Sequence, residues 1–223
     1  MISQSIEDYV KTIYHLQLEK EKVTTKAISE EMGISSASVT GMVKKLASMD
    51  ILTHTPYRET ALTSRGEKIA LQMIRRHRLL ESFLKEVLGY PLDRVHDEAE
   101  RLEHVISEEF VERMDDVLGN PSTDPHGSPI PNPQGEMLEQ DLFPLLDLES
   151  GQSAVVLRVS HRDPDKLRYM EKTGILPGTN LTVLDRRPFK GPMMIQIGDE
   201  KKEMIGHEIA RQIWVGYGKP DRK

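Results

Sequence analysis

The chain has 223 residues, 37% hydrophobic and 30% charged, with no cysteine and a formal net charge of -6. That length suggests one or two domains, and the missing cysteines exclude disulfides, thiolate nucleophiles and zinc–thiolate sites. Aromatics make up only 5%, with a single Trp, which argues against a large β-sandwich, and the acidic balance excludes a uniformly basic nucleic-acid binder.

From the N-terminus, Ile6, Val10, Ile13 and Leu16 make the stripe of a first helix. MISQSIEDYVKTIY places acids where a secretory signal has a basic end and an apolar stretch, so a cytoplasmic protein is expected. Nowhere does a run approach the roughly 18 uncharged apolar residues of a membrane span, so no membrane partner is expected. Lys26 to Met32 reads as a short second helix stopped by Gly33, and Ser35 and Ser36 can cap a third helix carrying Val39, Met42, Val43 and Leu46. ILTHTPYRETALTS then supplies two short β-prone runs around a polar turn. Ile69, Met73, Ile74, Leu80, Phe83, Leu84 and Val87 pattern a fourth helix, ended by Gly89 and Pro91, and Val95, Ala99, Leu102 and Ile106 begin a fifth.

Asn120 to Met137 holds five prolines and no Lys or Arg, and reads as a stiff extended linker or, alternatively, a proline ligand for another module. After it the period changes. Ser153–Ser160, Asn180–Asp185, Met193–Gly198 and Ile213–Tyr217 read as strands, and DPDKLRYMEKTG as a helix started by Asp163 or Asp165. The layout predicts three parts: residues 1–72, residues 73–140 with the linker from about 120, and a small barrel over 148–220. Charge follows these parts. Residues 1–72 carry 9 basic and 9 acidic side chains, residues 73–119 carry 7 and 12, residues 120–150 carry 0 and 6, and residues 151–223 carry 14 and 9.

Val23 to Leu52 is helix, glycine turn, helix, and the β-ribbon after it suits a wing, which together make a winged helix-turn-helix. Thr25, Ser35, Ser36, Ala37, Ser38 and Thr40 are short enough to let the third helix sit deep in a major groove. Lys44, Lys45 and, at the ribbon tip, Arg58 can reach phosphates. With few long hydrogen-bonding side chains on that face, DNA shape and methyl contacts would carry the specificity. A helical hairpin used only for packing is the plainer alternative.

His77 and Glu81 are one helical turn apart, and His96, Glu100, Glu103 and His104 fall on one face of the next helix. Imidazole and carboxylate stripes on two facing helices are a way to build a metal site in a bundle. Without a cation the carboxylates would repel one another while losing solvent. A HExxH motif and the Glu-x-x-His pair of di-iron bundles are both absent, and no nucleophile stands among these residues, so an enzyme is not expected. A metal-storage module or metallohydrolase remains as a remote alternative.

With the helix-turn-helix, wing, RRHRLLESFL, RVHDEAERLEHVIS, DPHGSPIP and a C-terminal barrel in that order, nearly the whole chain resembles the diphtheria toxin repressor family of metal-dependent transcriptional regulators. The resemblance implies a mainly α protein with a small β-barrel: a winged helix-turn-helix domain, a helical dimerisation and metal domain, and an SH3-like barrel. It also implies a homodimer on double-stranded operator DNA, with no small-molecule substrate. Carried over by position, a primary metal site would use Asp8, Glu100, Glu103 and His104. A secondary site would use His77, Glu81 and His96, completed from the barrel by Asp163, with Asp165 nearby and Lys166 where a family ligand is placed. Iron-type relatives have methionine and cysteine where this chain has Asp8 and Glu100; manganese-type relatives have the acids. Hard oxygen donors suit Mn²⁺, so a Mn²⁺-responsive repressor of metal uptake and homeostasis genes is expected, with an Fe²⁺- or Zn²⁺-dependent repressor as the alternative and Co²⁺ or Cd²⁺ as possible substitutes. Lys11 replaces the further glutamate of the short manganese regulators, which argues against their paired-metal geometry.

Overall fold

Apolar residues spaced three and four apart build α1 (Gln4–Glu19), whose Ile6, Val10, Ile13 and Leu16 are all buried. The computed structural model describes residues 3–19, 22–54 and 59–217. They divide into two units, one of residues 1–77 with 131–136, the other of 78–130 with 137–223.

In the first unit, α2 (Thr25–Met32) and α3 (Ser36–Ser48) follow α1. Thr24 Oγ1 caps α2 by accepting the Ala27 N–H at 3.2 Å, and Ser35 Oγ caps α3 by accepting that of Ser38 at 3.2 Å. Satisfying these otherwise orphaned helix-start donors is worth about 1 kcal/mol each. The apolar face of α1 packs with Val23, Ala27, Ile28, Val39, Val43 and Leu46 in one core. Each of the Val, Ile and Leu side chains contributes roughly 1.5–3 kcal/mol on burial. Strands β1 (Leu52–His54) and β2 (Thr60–Leu62) pair antiparallel, Leu52 opposite Leu62, as the ribbon of the wing. The first turns of α4 (Ser64–Glu86) complete the unit.

The second unit contains the rest of α4, then α5 (Leu92–Leu102) and α6 (Glu108–Leu118), and a six-stranded antiparallel sheet. Its strands are β3 (Phe143–Pro144), β4 (Ser153–Val159), β5 (Asn180–Arg186), β6 (Met193–Ile197), β7 (Lys201–Ile205) and β8 (Ile213–Gly216), in the order β3-β8-β4-β5-β6-β7. Helix α7 (Pro164–Thr173) connects β4 to β5, and the short α8 (His207–Ala210) precedes β8. Alternate residues face inward, as Met193, Ile195 and Ile197 do on β6. Register shifts at Val156/Arg158 and Val183/Asp185 bend the strands as a small barrel requires. The expected fold class is borne out: helical N-terminal parts followed by a small antiparallel sheet domain.

Several features depart from the sequence reading, among them the short β3 and α8, which were not expected. The helix expected to run through Ile106 stops at Leu102, and a new one, α6, starts behind the Ser107 cap. Strand β7 was not expected, because KKEMI buries only Ile205 and has the polarity of a loop. The proline-rich stretch is not a free linker. Asp124 Oδ1 accepts the N–H groups of His126 at 2.8 Å and Ser128 at 2.9 Å, and Asp124, His126, Ser128 and Ile130 are buried. This loop docks on β4, where the Val159 N–H donates to the His126 carbonyl at 2.9 Å. Gly127, at φ +89°, passes so close that a Cβ there would lie 1.9 Å from the Leu157 carbonyl oxygen. Residues 131–136 belong to the first unit, where Arg75 Nη1 donates to the Pro131 carbonyl at 2.8 Å.

Candidate metal centre and DNA-reading helix

Helix α3 keeps Val39, Val43 and Leu46 inward and leaves Ser36, Ala37, Ser38, Thr40, Lys44 and Lys45 exposed on its other side. Ser35 is spent as the cap, and Thr40 Oγ1 bonds back to the Ser36 carbonyl at 2.8 Å, so α3 presents a low surface with lysines toward its end. Thr25 opens α2. Arg58, expected at the wing tip, lies outside the described residues.

Asp8 is half-buried on α1, next to buried Tyr9, and His77 is buried on α4. Glu100 is on α5, and Glu103 and His104 follow in the turn that ends it. Glu103 is fully buried at 0% exposure, with Oε1 3.4 Å from His104 Nε2. An ionised carboxylate in such a place demands a compensating charge.

Deeper in the second unit, Glu81 of α4 meets the docked proline loop. Glu81 Oε1 lies 3.0 Å from His96 Nδ1, and Glu81 Oε2 lies 3.6 Å from His126 Nδ1. One donor atom each from Glu81, Asp124 and His126 falls within 4.8 Å of the others, and all three residues are buried. His161, just after β4, lies tilted against both imidazoles, with ring centroids 4.7 Å from His96 and 5.2 Å from His126. Burial, and then the charge of Glu81, push the Asp124 carboxyl up to about 6, against the opposing pull of His126, Arg78 and the Ser128 N–H. For His126, burial works downward, but Glu81 and Asp124 outweigh it and raise the imidazole above its ordinary value. Neither ring nitrogen of His126 has a hydrogen-bond partner, although both are buried. Orphaned imidazole nitrogens among crowded buried carboxyls fit a divalent cation.

Three family models match the chain in order: the N-terminal DNA binding domain of iron dependent repressors over residues 1–60, the iron dependent repressor metal binding and dimerisation domain over 63–132, and the FeoA domain over 143–216. The iron-dependent repressor IdeR of Mycobacterium leprae (strain TN) is 34% identical over 221 residues, covering 94% of this chain and 95% of that protein. This chain belongs to the iron-dependent repressor family. The diphtheria toxin repressor of Corynebacterium efficiens is 30% identical over 191 residues, covering 81% of this chain and 83% of that protein. A solved manganese-dependent transcriptional repressor in complex with manganese matches with a TM-score of 0.84 at 39% identity, covering 94% of this chain and 98% of that one. The relatives of this family member are thus metal-dependent transcriptional repressors, and its small sheet is the FeoA, SH3-like part.

Within this repressor-family chain, Asp163 has a structural task. Its Oδ1 caps α7 by accepting the N–H groups of Asp165 and Lys166, and its Oδ2 lies 3.3 Å from Lys166 Nζ. The Lys166 backbone N–H, ahead of the lysine's charge, holds its carboxyl below the usual range. Asp165 pairs with Arg168 at 3.0 Å. The barrel-side residue set against the His96 and His126 rings is His161, two positions earlier. The sequence reading passed over Asp124, His126 and His161. The available signal was an Asp and a His two residues apart in a stretch with no Lys or Arg, overlooked because its prolines spoke for a linker.

Proposed function

We propose that this chain is a cytoplasmic, homodimeric repressor that Mn²⁺ activates for binding to double-stranded operator DNA at metal-homeostasis genes. The observation that carries the metal dependence is the buried Glu81–Asp124–His126 cluster with its orphaned imidazole nitrogens. Asp8, Glu100, Glu103 and His104 would hold the primary ion, as the resemblance implies. Glu81, Asp124 and His126, with His161 in place of Asp163, would hold the second. His96 orients Glu81 through their 3.0 Å bond, and His77 stays in the ligand set carried over by position. A bound divalent cation supplies the positive charge that these carboxylates need.

Donor chemistry supports Mn²⁺. Every proposed ligand is oxygen or imidazole nitrogen, and the chain has no cysteine that would favour softer metals. An Fe²⁺-dependent repressor is the second reading, favoured by the iron-dependent relative at 34% identity. Exposed Val105 just before α6, and Phe110 and Val117 on it, support a homodimer, since apolar surface of this kind marks association sites. No enzymatic role is proposed: the candidate residues include no nucleophile.

The ligands do not read DNA. That falls to α3, whose exposed small residues approach the major groove while Lys44 and Lys45 reach phosphates. Metal and operator binding are then linked, and the linkage is reciprocal: operator DNA tightens metal binding by the factor by which metal tightens operator binding.

Fluorescence-anisotropy titration of the chain's own promoter region, with Mn²⁺, Fe²⁺ and Zn²⁺ under anaerobic metal-buffered conditions, tests this reading. Saturable binding activated by Mn²⁺ supports it, and activation by Fe²⁺ at its cellular free concentration moves it to the second reading. Binding indifferent to every metal refutes it.

A further inference from the structure

The turn joining β5 to β6 is built against its own stability. Arg187 N–H donates to the Pro192 carbonyl at 3.1 Å and Gly191 N–H to that of Pro188 at 3.0 Å, which leaves Phe189 and Lys190 as the two central residues. Both have φ +57°. Tight hairpin turns of that sign favour glycine and asparagine, because any larger side chain crowds its own backbone. Gly191 is required where it stands, since a Cβ there would lie 2.6 Å from that of Arg187. The two strained positions could have carried cheaper residues, yet they carry a phenyl ring and an ammonium group. Phe189 is 101% exposed, so its ring gains nothing from the protein's own core. Strain and exposed apolar surface at one spot point to a role outside the fold.

Its neighbours say what kind. The turn reads Arg186, Arg187, Pro188, Phe189, Lys190, with Asp185 as the nearest acid. Arg186 Nη1 donates to the Leu148 carbonyl at 2.8 Å and anchors the hairpin. Arg187 keeps 67% of its side chain exposed beside Asp185, and Lys190 is exposed. A cavity of about 400 Å³ opens behind the turn, with Arg186, Lys190 and His207 in its lining. The charge of the whole chain sharpens the point. Residues 1–72, which include the helix-turn-helix, balance 9 basic with 9 acidic side chains, and residues 73–150 are net acidic, while residues 151–223 carry 14 basic against 9 acidic. In a DNA-binding chain, the surplus positive charge that phosphates demand therefore lies after residue 150, with 11 basic against 8 acidic side chains in residues 151–217.

We infer that the Phe189 hairpin is a second DNA contact, in which Arg187 and Lys190 take phosphates of the duplex and Phe189 packs into the minor groove beside them. Apolar side chains entering that groove among basic residues are a known way of holding a duplex without reading its sequence. The contact adds affinity rather than specificity. It rests on the repressor reading above.

The test uses the full chain, Mn²⁺-loaded, and a mixed-sequence duplex of about 40 base pairs, a length chosen as roughly four helical turns. Binding is measured over a range of salt concentrations. Arg187→Ala with Lys190→Ala is expected to lower the slope of log affinity against log salt by about 1.8, since each lost phosphate contact removes about 0.9. Phe189→Ala is expected to weaken binding with its slope unchanged. Phe189→Asn with Lys190→Gly suits the turn better, so it is expected to melt at a higher temperature while binding DNA more weakly. That opposite movement separates a contact from a folding defect.

An unchanged slope in the Arg187/Lys190 variant overturns the inference. If that variant instead loses self-association in sedimentation, the hairpin belongs to a second copy of the chain. If it loses binding to vesicles containing phosphatidylglycerol while its DNA slope stays the same, the surface is a membrane contact. Either result overturns the DNA role. Should the wild-type chain bind no DNA with any metal, the repressor reading fails as well, which keeps the two failures distinct.

Discussion

His126 Nδ1 lies 3.6 Å from Glu81 Oε2, yet neither ring nitrogen of this fully buried histidine has a hydrogen-bond partner. The two residues are 45 positions apart, and the proline loop that carries His126 is held both on β4, through Val159 N–H, and on α4, where Arg78 Nε lies 3.7 Å from Asp124 Oδ2. A buried imidazole in that position, beside two carboxyls, is costly as protein alone and useful as a metal ligand.

The pH dependence of the metal-free protein follows from Asp124. Burial and Glu81 raise its carboxyl from 3.8 to about 6, so the folded state holds a proton that the unfolded chain has released. The stabilisation is therefore full below about pH 4, is lost as pH rises through about 6, and is on the order of 3 kcal/mol at most. The raised His126 imidazole works in the same direction. Metal must displace this proton, so thermal melts should show a larger Mn²⁺-induced rise in Tm at pH 7 than at pH 5. Asp124→Asn should flatten the difference.

His161 and Asp163 have distinct expected roles. His161→Ala should weaken metal binding at the second site by at least roughly 10-fold, the lower end of the range for groups that only support a metal ligand. Asp163→Ala should leave metal affinity near wild type and lower the melting temperature modestly through the lost α7 cap. Isothermal titration and thermal melts on the two variants separate these outcomes, and a metal defect confined to Asp163→Ala would reverse the assignment.

Glu103→Ala removes a buried carboxylate from the proposed primary ligand set. Metal-dependent operator binding should be abolished while the dimer persists, as read by anisotropy and sedimentation. Glu100→Cys should move activation from Mn²⁺ toward Fe²⁺, Co²⁺ or Zn²⁺, because a thiolate prefers later, softer ions. An unchanged metal ranking would remove the donor-set argument for Mn²⁺.

Gly127→Ala drives a methyl group against the Leu157 carbonyl and forces a side chain into positive φ. The docked loop must shift, at a cost of more than about 2 kcal/mol. A lower Tm together with loss of the second metal site in titration is the expected pair of effects.

Ser35→Ala deletes the α3 cap without touching the exposed lysines. It should cost about 1 kcal/mol by chemical denaturation and loosen the start of the DNA-reading helix. Operator affinity should drop modestly, with its metal dependence retained.

What could be read along the chain was local. The stripe Ile6, Val10, Ile13 and Leu16 declares a helix face, Gly33 and Ser35 punctuate two helices, and the alternation of Met193, Ile195 and Ile197 declares a strand, because each signal is complete within one or two turns of chain. The helix-turn-helix with its ribbon, and the change to a small sheet domain, followed from such signals. Strand β7 gave none, since its pairing with β6 supplies through backbone bonds what its charged side chains do not announce. The proline loop is the clearest contrast. Prolines rule out a helix or central strand from composition alone, but they say nothing about burial. Whether that loop is solvated or packed is decided by Asp124 accepting the backbone N–H groups of His126 and Ser128, by the fit of Gly127 against Leu157, and by Glu81 waiting on α4. The Asp124 bonds are local, but Gly127 and Leu157 are 30 positions apart and Glu81 and His126 are 45, and only the closure of the chain over those distances brings them together.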